Sequence, residues 1–337
     1  MKKYNFAVVG ATGLVGSTML KILGETSLPI GSVRALATGR SKGSYVDFRE
    51  EKILVEDVAQ SSFKGVDIAL FAGGEIASTD FAPRAVEEGA VVIDNSSAYR
   101  QDPQVPLVVP EVNASALNGG ARLIANPNCS TIQMISILGP LHRAWEVTGV
   151  SVATYQSVSG AGKNGLDELR GQTEQFLKGG VSLDSKTFPR QIAFNLFPQI
   201  GSFNEDGLST EEEKMVLETR KILSLPALPV LATCVRVPVF FAHSEALQIS
   251  FSQESSPEKA RELLKKAPDV EVVDDLINGV YPTPIDAEGQ DKVLVGRIRR
   301  DPTRPNGLSM WVVADNLRKG AATNAVNIAK ALIARWN

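Results

Sequence analysis

Phe6-Ala7-Val8-Val9-Gly10-Ala11-Thr12-Gly13-Leu14-Val15-Gly16 decides the fold. Four apolar residues make a short strand. Three glycines follow at G-x-x-G-x-x-G spacing, and Ser17 to Leu23 is an amphipathic stretch that reads as a helix. Strand, glycine turn and helix in that order form the context of a dinucleotide fingerprint. The glycines let backbone approach a pyrophosphate, which then rests on the positive end of the helix. The loop from Gly10 is therefore a cofactor-binding candidate. A glycine turn that serves only close helix–strand packing is the plainer alternative.

Working outward, Val33 to Ala37 predicts the second strand. An NAD-binding chain would often place Asp or Glu at its end, for the ribose 2′-hydroxyl. This chain has Thr38-Gly39-Arg40-Ser41-Lys42-Gly43 instead. A hydroxyl, a guanidinium and an ammonium suit a 2′-phosphate and favour NADP over NAD; a solvated basic loop is the alternative. Val66 to Ala72 predicts a third strand, Ser78 to Glu88 a helix, Ala90 to Asp94 a fourth strand, and Leu107–Val109 and Leu123–Ala125 two more. Strands alternating with helices predict a Rossmann-type parallel sheet with ligands at the strand carboxyl ends. Asn95 and Arg100 fall just beyond one such end, where Arg100 could hold a phosphate or a carboxylate.

The last of these strands delivers the chain to Asn126-Pro127-Asn128-Cys129-Ser130-Thr131. The apolar run Ile132 to Leu141 reads as a helix, with Asn128 or Ser130 as its N-cap. Either choice puts the Cys129 thiol at a helix N-terminus, where unpaired N–H groups and the helix dipole favour thiolate. Cys129 is thus a candidate nucleophile. A small buried hydrophobe is the commoner fate of a free cysteine.

Beyond this helix the texture changes. Gly149 to Val158 alternates and is β-rich, Ser159 to Gly165 is a second glycine loop, and the regular βα alternation is lost. Ser209-Thr210-Glu211-Glu212-Glu213-Lys214 opens a helix to about Leu223, with Thr210 and Glu213 as a capping box. Cys234 to His243 reads as one strand. On a regular strand Arg236 and His243 would face opposite ways unless a bulge at Pro238 brought them together. Ala321 to Arg335 is an apolar-striped final helix. The expected division is residues 1–127 plus 316–337 for cofactor binding, and 128–315 as an α+β catalytic and dimerisation domain. The last helix then returns to the first domain and Asn316 lies near the cofactor.

Composition narrows the function classes. At 337 residues the chain has room for two cores. A net charge of −3, with charged residues at 22%, points to neither nucleic acid nor a membrane surface. No apolar run is long enough to span a bilayer. The N-terminus shows no signal peptide, and two cysteines make no disulfide framework, so a reducing cytoplasm is expected. No metal-ligand spacing is present. Of the two histidines, His142 stands at the far end of the Cys129 helix, roughly 20 Å away at 1.5 Å per residue. That leaves His243 as the acid–base candidate and gives His142 to dipole compensation or packing.

The motifs GATGLVG at 10–16, DNSSAYR at 94–100, NPNCST at 126–131, YQSVSGAG at 155–162, EEEK at 211–214, CVRVPVFFAHSE at 234–245 and DNLRKGAA at 315–322 occur in order. Together they resemble the bacterial, NADP-dependent aspartate-β-semialdehyde dehydrogenases nearly from end to end. The resemblance implies reversible, phosphate-dependent reduction of 4-phospho-L-aspartate to L-aspartate 4-semialdehyde, in the biosynthesis of lysine, diaminopimelate, threonine and methionine. It implies Cys129 as the nucleophile that carries an acyl-thioester, His243 as general acid–base and Gln156 as the group that orients the thioester. It implies Arg236 for the substrate carboxylate, Glu211 (with Glu212 as the fallback) for the amino group, and Arg100 and Lys214 for phosphate. Thr12, Gly13, Leu14, Val15, Arg40, Ser41, Ser159, Gly160 and Asn316 match positions that contact NADP. A protonated His243 is expected to favour the thiolate. The family implies a homo-oligomer, dimer or tetramer, and no metal. Two rivals remain: N-acetyl-γ-glutamyl-phosphate reductase, which the acidic Glu211 argues against, and a non-catalytic NADP-binding paralogue, which Cys129, Gln156, Arg236 and His243 together argue against.

Overall fold

Strand β1 (Tyr4–Val9) runs through the middle of a seven-stranded sheet, with Phe6, Ala7, Val8 and Val9 buried. Helix α1 (Leu14–Glu25) follows, then β2 (Ile30–Ala37), β3 (Tyr45–Phe48), β4 (Glu51–Asp57), β5 (Ile68–Phe71), α2 (Glu75–Glu87), β6 (Val91–Asp94), the single turn α3 (Pro110–Asn113) and β7 (Leu123–Ala125). The computed structural model describes residues 2–180 and 184–336. The sheet order is β3-β4-β2-β1-β5-β6-β7, parallel except for β3 against β4. From β1 the chain builds outward on one side, then returns to add β5, β6 and β7 on the other. The order therefore reverses beside β1, where doubly wound sheets open a ligand crevice.

Leu107–Val109 is not a strand. Only a single bridge joins Leu107 to Ala125. Pro106 and Pro110 flank the run and lack N–H donors. The Val109 N–H donates to Asn113 Oδ1 at 2.9 Å rather than to a neighbouring strand.

The second unit begins with α4 (Cys129–Trp145), followed by β8 (Val147–Gln156), α5 (Gly162–Leu177), α6 (Thr210–Leu223), β9 (Val230–Arg236), β10 (His243–Phe251), α7 (Pro257–Lys265), β11 (Val270–Val272), the turn α8 (Pro284–Ala287), β12 (Val293–Arg300) and β13 (Leu308–Ala314). Its sheet runs β11-β12-β13-β10-β8-β9 and mixes parallel with antiparallel pairs. The second glycine loop is not all loop. It turns into α5, which buries Leu166, Leu169 and Gln172.

Helix α9 (Asn324–Trp336) returns to the first unit. Its Ala325, Val326, Ile328, Ala329 and Ile333 share one core with Phe6, Val8 and Leu20. The units divide after Asn128 and after Gly320, not after residues 127 and 315. The later second boundary has a physical cause. Asn316, Arg318 and Lys319 are tied into the second unit by Ala242, Asp291 and Asp269 respectively. No helix among the described residues is long and apolar enough to cross a membrane.

Candidate active site

In the first unit the glycine loop separates packing from binding. Gly10 has φ +82°, and a Cβ there would lie 2.6 Å from the Ala72 carbonyl carbon. A Cβ on Gly16 would lie 2.1 Å from the Gly10 carbonyl oxygen. Helix–strand packing by itself requires glycine at both positions. Gly13 differs, since its Cβ would meet only the Gly10 oxygen, at 3.4 Å. Gly13 also precedes α1 without a side-chain cap. The first-turn N–H groups of Leu14 and Val15 have no carbonyl behind them, which suits an anion. Thr12 Oγ1 stands 3.1 Å from Ser41 Oγ, in a 3-10 turn over Gly39–Ser41, with Thr38 and Arg40 exposed beside it. Helix N-terminus, hydroxyl pair and free guanidinium fit a dinucleotide. Arg100 is buried in the same unit, donating through Nε to the Asn126 carbonyl at 2.9 Å and through Nη2 to the Asn95 carbonyl at 2.8 Å.

In the second unit Cys129 is the first residue of α4, so Asn128 holds the N-cap position. Three neighbouring strands, in sheet order β9, β8 and β10, bring Arg236, Gln156 and His243 to one edge. Arg236 pairs with Gln156, and the register puts His243 on the other flank of Gln156, one step beyond the Ser244–Tyr155 pair. The expected single strand from Cys234 to His243 is really two. The chain leaves β9 at Arg236, crosses residues 237–242 and enters β10 at His243 on the far side of β8. The crossover aligns the two side chains, with no bulge in a common strand. Gln156 Nε2 donates to Ser130 Oγ at 2.8 Å and to Glu211 Oε1 at 3.3 Å, linking the row to the residue after Cys129.

Arg236 is buried and donates through Nη1 to the Ser157 carbonyl at 2.6 Å. Burial pulls its guanidinium below the ordinary range, while Glu211 and then Cys129 favour the charged form. Gly160 sits between Arg236 and His243: a Cβ there would lie 3.0 Å from Arg236 Nη1 and 3.4 Å from His243 Nε2.

His243 is completely buried. Burial, then the Arg236 charge, lowers its imidazole to about 3. Both causes work against the protonated His243 expected from the sequence. Its Nδ1 accepts the Ser157 N–H at 3.1 Å, with the Ser157 hydroxyl 3.0 Å away. His142 is structural: its Nδ1 accepts the Val147 N–H at 3.1 Å, just past the end of α4.

The acidic run resolves by geometry. The capping box is Ser209 with Glu212, not Thr210 with Glu213. Ser209 is extended at φ −71°, ψ 153°, and its N–H donates to Glu212 Oε2 at 2.7 Å. Thr210 Oγ1 donates instead to the Ser202 carbonyl. Glu212 Oε1 accepts the Cys234 N–H at 2.8 Å, so both its oxygens serve the fold. Glu211 points to Gln156, with Lys214 Nζ 3.7 Å from its Oε2.

Ser159 and Asn316, both buried, form a network beside His243. Asn316 Oδ1 accepts from the Ala242 N–H at 3.1 Å, from Ser157 Oγ at 3.1 Å and from Ser159 Oγ at 3.0 Å. The Asn316 carbonyl is thus spent inside the second unit, and its NH2 group is what remains for a ligand. One row behind, Glu245 pairs with Thr154 and lies fully buried on the same face of the sheet as His243. Burial holds its carboxyl well above the ordinary range, opposed by Gln133.

Ser157 and Glu245 were not singled out from sequence, and Ser130 was read only as a possible N-cap. Nothing in a lone serine signals that it meets a histidine 86 positions away. Glu245 was the readable signal, because it is in phase with Leu247, Ile249 and Phe251 along the strand, and residues two apart share a face.

The family profile described as semialdehyde dehydrogenase, NAD binding domain, matches residues 5–119, and that described as semialdehyde dehydrogenase, dimerisation domain, matches residues 138–319. The chain is 50% identical over 333 residues to an aspartate-semialdehyde dehydrogenase of Aquifex aeolicus, covering 98% of each. A crystal structure of aspartate semialdehyde dehydrogenase II from Vibrio cholerae, complexed with ASA, is 45% identical, covers all of both chains and superposes with a TM-score of 0.97. The Candida albicans aspartate semialdehyde dehydrogenase with NADP is 25% identical, covers 99% of both chains and gives a TM-score of 0.77.

Proposed function

The chain belongs to the aspartate-semialdehyde dehydrogenase family, and from that membership we propose how its residues divide the work. It is a nicotinamide-dependent oxidoreductase of aspartate-family amino-acid biosynthesis, converting 4-phospho-L-aspartate to L-aspartate 4-semialdehyde and phosphate, reversibly. The observation that carries the assignment of roles is the row Arg236–Gln156–His243 at three adjacent strand ends, bonded through Gln156 to the residue after Cys129.

The Cys129 thiolate, favoured by the α4 N-terminus, attacks the acyl carbon. A C–S bond forms, the C–O bond to phosphorus breaks, and its electron pair leaves with phosphate. Arg100 and Lys214 receive that dianion. Arg236 grips the α-carboxylate by a bidentate contact and Glu211 pairs with the α-ammonium. A buried carboxylate facing the site suits a free amine, which an N-acetylated substrate lacks. Gln156 orients the thioester, and the Nε2–H of His243 meets the reacting centre. When bound, the reduced nicotinamide supplies the hydride that takes the thioester to the aldehyde.

The cofactor is NADP, held by Gly10, Thr12, Gly13, Leu14 and Val15 at the pyrophosphate, by Thr38, Arg40 and Ser41 at the 2′-phosphate, and by Ser159, Gly160 and Asn316. The second unit carries the family's dimerisation domain, so the chain works as a homo-oligomer; a dimer through this unit is the state proposed. Two free cysteines suit a cytoplasmic enzyme.

The test is reduction of NADP with L-aspartate 4-semialdehyde, with and without inorganic phosphate. Phosphate-dependent turnover that vanishes in Cys129→Ala is the expected result. Turnover with N-acetyl-glutamate semialdehyde in place of the aspartate compound would overturn the substrate.

A further inference from the structure

We propose that Asn95 is a further phosphate ligand, and that Asn324, the first residue of α9, is the positioning residue that orients it. A chain of three side-chain amides, Asn324–Asn126–Asn95, leaves the NH2 group of Asn95 as a donor beside the Arg100 guanidinium. This rests on the reading of Arg100 as a ligand for the leaving phosphate.

The three asparagines and Arg100 all belong to the first unit. β6 and β7 are parallel neighbours, in register at Asp94 and Ala125, so Asn95 and Asn126 leave the sheet together at its carboxyl end. Arg100 spans the two. Its Nε donates to the Asn126 carbonyl at 2.9 Å and its Nη2 to the Asn95 carbonyl at 2.8 Å. The side chains of the same two residues are also joined, Asn126 Nδ2 donating to Asn95 Oδ1 at 2.6 Å. Backbone and side-chain bonds close one ring through the guanidinium, so whatever fixes the asparagines fixes the arginine.

Two backbone carbonyls set the direction of the chain. A carbonyl only accepts, so the end of an amide that meets it is NH2. Asn324 Nδ2 donates to the Val108 carbonyl at 2.9 Å and to Asn126 Oδ1 at 2.7 Å. Asn126 Nδ2 donates to the Ala321 carbonyl at 3.2 Å as well as to Asn95. With its Oδ1 taken, half-buried Asn95 presents NH2, which has no partner among the described residues. The oxygen of Asn324 is buried without a partner. An orphaned buried acceptor is costly, and a position needed only for packing would take an apolar residue. The two donors of Asn324 are what the position requires.

A phosphate arriving at Arg100 therefore meets two neighbouring donors, because Nη2 rests on the carbonyl of Asn95 itself. Hydrogen bonds to an ionised acceptor are the strong ones, whereas an amide oxygen in the same place would repel a dianion. The carboxylate next in sequence, Asp94, spends both its oxygens on Ser78 and Ser96.

The test is the oxidative assay with L-aspartate 4-semialdehyde and NADP, varying inorganic phosphate. Asn95→Ala and Asn324→Ala are each expected to raise the KM for phosphate about tenfold, with the KM values for semialdehyde and NADP within about twofold of wild type. Asn95→Asp turns a carboxylate towards the dianion and should raise it by on the order of 10². Asn324→Ser keeps one donor but cannot span Val108 and Asn126; it stands in if Asn324→Ala does not fold, with the same expectation. An unchanged phosphate KM in Asn95→Ala or at position 324 overturns the proposal, as does Asn95→Asp no worse than Asn95→Ala. Equal rises in all three KM values would mark a general loosening and overturn it too. A rise confined to NADP would give the donor to the cofactor instead. If the wild type turns over no semialdehyde, the assigned reaction falls, and phosphate stabilisation of the ligand-free protein decides. At ionic strength matched with chloride, the phosphate concentration at the midpoint of the Tm rise should be about tenfold higher in the same variants. An unmoved midpoint overturns the proposal.

Discussion

A Cβ placed on Gly320 would stand 2.9 Å from the Cβ of Cys129, well inside contact distance. Gly320 lies in a π-helical turn, Arg318–Thr323, and its N–H donates to the Asp315 carbonyl. Such turns recur at functional sites. This one is anchored on both preceding residues. Arg318 makes a two-pronged contact with Asp291 at 3.0 and 2.8 Å, and the fully buried Lys319 reaches Asp269 at 2.9 Å. The wall behind the nucleophile cannot easily retreat.

Gly320→Ala should therefore move the nucleophile rather than the wall. Overpacking of this kind costs about 1–3 kcal/mol. A thiol displaced by an ångström loses on the order of 10² in rate. The expected result is a large fall in kcat together with slower alkylation of Cys129 by iodoacetamide. Alkylation at the wild-type rate would show that the turn yields and that Gly320 does not set the thiol.

Neighbouring glutamates should part company on mutation. Glu212 caps α6 and also binds the Cys234 N–H, so Glu212→Ala removes two buried acceptors. Loss of a cap and an unsatisfied buried N–H cost about 1–3 kcal/mol each, enough to lower Tm by several degrees. Glu211→Gln leaves the helix start intact. It should raise KM for the semialdehyde at least tenfold with Tm almost unchanged. The reverse pattern would exchange the two roles.

The fold was legible wherever a local rule governs. The β1–glycine–α1 unit, the parallel sheet, the placement of Cys129 at a helix start and the return of α9 all follow from periodicity and turn chemistry. What failed depends on distant partners. Leu107–Val109 is apolar enough for a strand, but its flanking prolines and the Asn113 side chain divert its hydrogen bonding. The capping box was one residue out of register because Ser209 and Thr210 are equivalent in sequence; contact with Ser202 separates them. Arg236 and His243 looked opposed because a strand-like run hides a crossover, and only sheet order shows that both flank Gln156. The surroundings of His243 were hidden for a related reason: its burial and the Ser157 N–H are tertiary facts.

Glu245 predicts a pH dependence with a definite sign. Its folded pKa stands well above 4.5, the ordinary value, because burial penalises the carboxylate. A group with a raised folded pKa binds more protons folded than unfolded. Its stabilising contribution is complete below pH 4.5 and is lost as pH rises towards the folded value, by at most about 1.4 kcal/mol per pH unit. Glu245→Gln keeps the shape and removes the titration. The variant should match the wild type in Tm near pH 4.5 and exceed it at pH 8. Equal pH slopes for the two proteins would place a carboxylate, not a carboxylic acid, at Glu245.

Cofactor choice turns on the exposed turn after β2. Thr38 and Arg40 are free in solvent, and Ser41 Oγ is already beside Thr12 Oγ1 at 3.1 Å. A 2′-phosphate would gain a guanidinium and two hydroxyls there, whereas a 2′-hydroxyl needs none of them. Each charge-assisted bond contributes about 1.5–3 kcal/mol, or roughly tenfold to a hundredfold in affinity. Arg40→Ala should thus lower kcat/KM for NADP by at least tenfold and leave that for NAD within about twofold. Because Arg40 belongs to the first unit and touches none of the acyl-transfer residues described above, alkylation of Cys129 in the ligand-free variant should proceed at the wild-type rate. A ratio of NADP to NAD turnover that survives the substitution would remove the 2′-phosphate from this turn.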